Sequence, residues 1–138
     1  IGRISYGVPG PSGLPLFKPP YTSITAIDLN TGEMNWKIPI GDGPRDHELL
    51  KDLDLPPLGD DGRAFVLATS SLLLVAHSAR PPRLYAYDKA SGDEVCRIEL
   101  PQSPSGTLMT YMAGEKQYIA IPVGGRLGAG LLTLALPD

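Results

Sequence analysis

What this chain has little of narrows the field first. Among its 138 residues there is one Cys, which excludes an internal disulfide and leaves the redox compartment open. There are only two His, one Trp and two Phe. No apolar run approaches the ~18 residues of a membrane-spanning helix; the longest is the five-residue LLLVA at 72–76. Basic charge is short as well: 12 Lys and Arg stand against 15 Asp and Glu, a net charge of −3. That balance offers no basic patch to nucleic acid. No signal-peptide pattern opens the sequence. Ile1 stands where a start Met would, so the expectation is a processed or truncated chain.

What is plentiful is Gly and Pro, 16 and 15 residues, together more than a fifth of the chain. Such usage disfavours long helices, and the length suits one domain with a core of its own. Short β-rich runs alternate with turn signals. SITAIDL (23–29), TGE and MNWKIPI (34–40) read as strand, turn and strand. RLYAYD, KASG and DEVCRIEL repeat that order from residue 83. RAFVLA and LLLVAH lie between the two copies; TLMTYM, QYIAIPV and LLTLAL follow them. Nine or ten strands are expected. The best helical candidate, DHELLKDL (46–53), is bounded by Pro44 and Pro56, so at most two turns can form.

The two copies share a spaced motif. Ala26, Asp28, Gly32 and Trp36 recur as Ala86, Asp88 and Gly92, with Cys96 in the place of the Trp. The spacing encodes a hairpin: Gly supplies positive φ at the turn, Asp accepts hydrogen bonds from turn amides, and Trp36 covers the sheet face from the return strand. Trp36 is expected to be largely buried. A motif recurring among many short strands points to radial repetition, hence a β-propeller. The copies begin 60 residues apart, at 26 and 86, more than a blade of about 40–45 residues. The surplus falls in the Pro-, Gly- and Asp-rich segment 41–62, read as an inserted loop within a single propeller portion spanning 1–138. The expected architecture is all-β, about three blades, and therefore a fragment of a larger ring.

Several residues invite a chemical reading that a plainer one outweighs. HELLK (47–51) lacks the second His of a zinc H-E-x-x-H motif, since Lys51 stands there. His77 reads as a strand-end residue, Cys96 as a small buried hydrophobe, and Tyr111 and Tyr118 as core packing on either side of a turn. GDGPRD (41–46) has no phosphate-loop spacing and reads as a turn.

A-x-D-x-x-x-G-x-x-x-W resembles the tryptophan-docking motif of the pyrroloquinoline quinone (PQQ) dehydrogenases. GLPLFKPPYTSITAIDLNTGEMNWKIPIG resembles the segment before the last blades of their membrane-bound glucose dehydrogenases. GTLMTYMAGEKQYIAIPVGG and LLTLALPD resemble two later segments, in the same order. The departures are Cys96 for the second docking Trp, Leu108 for a usual Pro, and a short inserted loop.

The resemblance implies an eight-bladed propeller of which this chain is the C-terminal part. It implies PQQ in a central channel beside Ca²⁺ or Mg²⁺, a carboxylate base on the substrate hydroxyl, hydride passing to the quinone, and electrons passing on to ubiquinone. The substrate would be a sugar or polyol, the remaining blades would come from the same protein, and the location would be periplasmic. The catalytic base, the metal ligands and most cofactor contacts belong to blades before this piece, so no catalytic or metal-binding residue is assigned here, and the isolated chain is expected to be inactive. One functional position does fall inside the chain. In the loop VGGRLGAG (123–130), Gly124 and Gly125 precede Arg126, where the family's glucose enzymes commonly carry a His at the substrate mouth. An Arg there supplies fixed donors for a hydroxyl or carboxylate; the plainer reading is a solvated loop cation. Two function classes stay open: part of a quinoprotein dehydrogenase, or a non-catalytic propeller that keeps the docking motif as scaffold and binds proteins.

Overall fold

The computed structural model describes residues 9–125 and 128–135. The chain forms two compact units, Ile1–Gly62 and Arg63–Asp138. Among the described residues there are nine strands and a single 3₁₀ turn at Pro11–Gly13, so the all-β expectation holds.

In the first unit, β1 (Ser23–Ile27) pairs antiparallel with β2 (Met34–Pro39). The chain leaves β2 through Ile40, which is buried, and enters the strandless segment 41–62. This segment folds back on its own start: Leu58 N donates to Asp42 O, Gly59 N to Gly41 O, and Asp60 N to Ile40 O. The helical pattern at 46–53 forms one turn only, with His47 O accepting from Leu50 N and Lys51 N. Two apolar positions of that pattern, Leu49 and Leu53, are exposed. Without a surface to cover, so short a segment has nothing to extend it.

In the second unit, β3 (Ala64–Ala68), β4 (Leu72–His77), β5 (Arg83–Asp88) and β6 (Glu94–Glu99) form a four-stranded antiparallel meander in chain order. A second meander follows: β7 (Met109–Ala113), β8 (Lys116–Val123) and β9 (Gly130–Ala135). The three sheets of the chain correspond to the three expected blades. LLLVA, the longest apolar run, is β4, an inner strand with neighbours on both sides and burial on both faces; continuous hydrophobicity without alternation is what such a position selects. One face of β4 and β5 carries Leu74, Ala76, Leu84 and Ala86, and these pack with Leu108, Ile121 and Val123 into one core joining the two sheets. Leu108, the departure from the family's Pro, is a core residue at 3% exposure.

The other face of the β3–β6 sheet sets Leu73 and Val75 of β4 opposite Tyr87 and Tyr85 of β5. Tyr85 and Tyr87 stack with ring centres 5.8 Å apart, and the Arg97 guanidinium lies 5.8 Å from the centre of the Tyr85 ring. His77 ends β4, as its sequence position predicts, and is fully buried. Tyr111 and Tyr118 differ from expectation. They are a directly opposed pair on β7 and β8, stacked at 5.3 Å, but Tyr111 remains 42% exposed. β7 is an edge strand whose five residues are all exposed, so the pair covers a sheet face instead of filling a core.

Candidate functional site

The two repeated turns have one construction. Asp28 Oδ1 accepts from Asn30 N at 2.7 Å and Thr31 N at 3.4 Å. Asp88 Oδ1 accepts from Ala90 N at 2.8 Å and Ser91 N at 2.9 Å. In each, the Gly amide four residues on donates to the Asp carbonyl, with Gly32 at φ 75° and Gly92 at φ 81°. Ala26 faces Trp36 across the first hairpin and Ala86 faces Cys96 across the second; in both, the register shifts immediately after the Ala. Cys96 is therefore the structural equivalent of Trp36.

Burial departs from expectation at one of those two positions. Trp36 keeps only a minority of its surface exposed. Cys96 is exposed and not a core hydrophobe. β2 and β6 are both edge strands, and every residue of β6 is exposed; a hydrophobic pattern fixes which face a side chain takes, but only a neighbouring layer buries it.

The amides of Ser91 and Ala90, in that order, hold the Asp88 carboxyl below the usual carboxylate range. A lowered folded-state pKa means the turn's stabilisation is present above the ordinary value near ~3.9 and is lost as pH falls through the folded value. Protection of the Ala90 and Ser91 amides, taken relative to intrinsic exchange at each pH, should fall as the pH drops below about 4, and Asp88→Asn should remove that acid dependence. An unchanged acid profile in Asp88→Asn would contradict this. On β5, burial first and the neighbouring Glu94 second push the Tyr87 hydroxyl far upward, so it stays protonated and cannot serve as a base near neutrality.

Segment 41–62 is tied down by Asp60, a residue without a local sequence signal. Its carbonyl accepts from Thr22 Oγ1 at 2.6 Å, and its Oδ1 accepts from Gly43 N at 2.6 Å. His47 is occupied locally: Nδ1 accepts from Leu49 N at 3.2 Å, so Nε2 carries the proton and faces Ser12 O at 3.0 Å. Among the described residues, no group of three or more His, Cys, Asp or Glu side chains is placed to hold a metal.

Gly124 and Gly125 begin the loop leaving β8, where Gly124 N donates to Ser103 O at 2.9 Å. Arg126 lies outside the described residues.

A cleft of about 1020 Å³ lies between the two sheets of the second unit. Its walls are Leu74, Leu84 and Ile98 from the first sheet and Ile119 and Leu134 from the second, with Cys96 beside Ile98. Polar side chains, Thr69, Ser70, Ser71, Glu115, Lys116 and Gln117, come from the β3–β4 and β7–β8 turn regions. Glu115 and Lys116 are the only charged side chains in the lining. This lining does not fit PQQ, a polyanion whose carboxylates need several cationic or N–H partners. The cleft was not legible in the sequence, because it arises from residues of five strands and two turns meeting across two sheets.

Residues 4–119 match the family described as PQQ: glucose/ethanol/alcohol dehydrogenase, beta-propeller domain. The chain is 31% identical over 121 residues to quinate/shikimate dehydrogenase (quinone) of Acinetobacter baylyi, covering 82% of this chain and 14% of that protein. It is 30% identical over 154 residues to quinoprotein glucose dehydrogenase of Escherichia coli K12, covering 96% of this chain and 19% of that protein. It is 30% identical over 135 residues to the glycerol dehydrogenase large subunit of Gluconobacter thailandicus, covering 92% and 18%. The chain thus spans less than a fifth of the length of these relatives.

Proposed function

We propose that this chain, which belongs to the PQQ-dependent glucose/ethanol/alcohol dehydrogenase β-propeller family, is a portion of an enzyme that oxidises a hydroxylated substrate and passes the electrons to a quinone. The observation that carries the reading is the match over residues 4–119. Its relatives bear the names of glucose, quinate and glycerol dehydrogenases, so the substrate class is a sugar, polyol or hydroxy acid. PQQ and its Ca²⁺ or Mg²⁺ are held by parts of the longer protein, in a periplasmic setting, and this chain supplies blades. The poor fit of the cleft to a polyanion supports that division.

The division has a direct test. Calorimetric titration of the isolated chain with PQQ and Ca²⁺ should give no binding in the micromolar range, whereas the longer protein should bind. Micromolar binding by the chain alone would put the cofactor site in the wrong place.

Arg126, three residues beyond the end of β8, is the substrate-mouth residue of this proposal. A guanidinium there favours a substrate that can offer it an acceptor, a hydroxy acid over a simple hexose. Arg126→Ala should raise KM with a smaller change in kcat, because the binding it removes is shared by ground and transition states. A KM unchanged for every accepted substrate would remove Arg126 from the site.

A further inference from the structure

β8 pairs with β7 on one side and β9 on the other, both antiparallel. The chain therefore enters β7 at the same end of the sheet from which the loop to β9 leaves. There, residues 103–105 clamp the root of that loop. Gly124 N donates to Ser103 O and Ser105 N to Pro122 O, both at 2.9 Å, on either side of the bridged pair Pro104 and Val123. Pro104 and Val123 are buried, and Ser105 is exposed. The loop then turns at once, with Gly128 N donating to Gly125 O at 3.1 Å.

Ser105 and Gly124 fit each other. A Cβ at 124 would stand 3.4 Å from Ser105 Cβ and 3.6 Å from its Oγ, so the Ser105 side chain lies over the bare Gly124 backbone. The backbone of Ser105 is held by its own amide, and its exposed hydroxyl, donor and acceptor at once, is presented at the root of the loop.

We propose that Ser105 is a specificity-determining residue of the substrate mouth, where its Oγ binds an uncharged hydroxyl of the sugar, polyol or hydroxy acid. Its role rests on the reading of loop 123–130 as that mouth; its place beside the loop rests on the bridge. Arg126 and Ser105 recognise different groups. A guanidinium only donates, and it selects an acceptor, above all a carboxylate. A hydroxyl both gives and takes a hydrogen bond, so it suits a substrate hydroxyl in either sense. The bridge uses the Ser105 amide and not its side chain, so the hydroxyl can be removed with the loop root intact.

The test uses the longer protein that contains this chain, with glucose, quinate and glycerol as substrates and a soluble dye as acceptor. Ser105→Ala removes the hydroxyl and keeps the amide. For the best of the three substrates it should raise KM about three- to tenfold, the range of one uncharged hydrogen bond, with kcat changed by less than about twofold. Ser105→Thr, which restores a hydroxyl, should recover most of the lost affinity. An unchanged KM in Ser105→Ala, or an equal rise in Ser105→Thr, would overturn the proposal. Arg126→Ala separates the two residues: if its KM is unchanged while that of Ser105→Ala rises, Arg126 leaves the site and Ser105 stays. If none of the three substrates reduces the dye, the dehydrogenase reading fails. Hydrogen exchange in the unaltered protein then decides on Ser105 separately: amides within 102–106 should gain protection when one of the three compounds is added at high concentration, and no gain with any of them would overturn the proposal.

Discussion

Ile121→Ala should lower the stability of this chain by about 2–5 kcal/mol, the range for removing a buried branched aliphatic side chain. Ile121 is fully buried at the centre of β8, in the cluster that joins the two sheets of the second unit. Truncation leaves a cavity bounded by both sheets, and strands held by ladder hydrogen bonds cannot collapse far into it. The denaturation midpoint should fall with little change in slope. Leu131, 61% exposed on β9, is the control; its truncation should stay within about 0.5 kcal/mol. Equal effects at the two positions would mean that the sheets do not share the core described.

Gly59→Ala should be at least as damaging to the first unit, for a different reason. Gly59 has φ 85°, and a Cβ there would sit 2.6 Å from Thr22 N and as close to Thr22 O. Both contacts are backbone, so no side chain can swing aside. The left-handed conformation alone costs about 1–3 kcal/mol, and the clash adds to it by forcing Thr22 from the Asp60 carbonyl it binds. Gly32 separates the two effects. Its φ is 75°, but nothing lies within 4 Å of its missing Cβ, so Gly32→Ala should show the conformational cost alone. Denaturant unfolding of the two variants should rank them in that order; a Gly32→Ala cost equal to or above that of Gly59→Ala would contradict the packing of segment 41–62 against Thr22.

The turns were legible because their determinants are local. Asp28 and Asp88 bond to amides two and three residues away, and the following Gly needs only its own φ. β4 was legible for the same kind of reason, as an unbroken apolar run. Burial was not. Cys96 and Tyr111 stand on edge strands, and what covers an edge strand is set by distant chain. Asp60 shows the limit most plainly: its partner Thr22 lies 38 residues away, and no spacing rule links them. The cleft likewise depends on two sheets meeting.

The central claim is that this chain is part of a PQQ-dependent dehydrogenase. The most direct test is to load the longer protein with PQQ and Ca²⁺ or Mg²⁺ and follow reduction of a soluble dye as glucose, quinate and glycerol are each added. The account predicts substrate-dependent dye reduction with at least one of the three, abolished when PQQ is withheld. Dye reduction that is absent with all three, or that persists at full rate without PQQ, would contradict it.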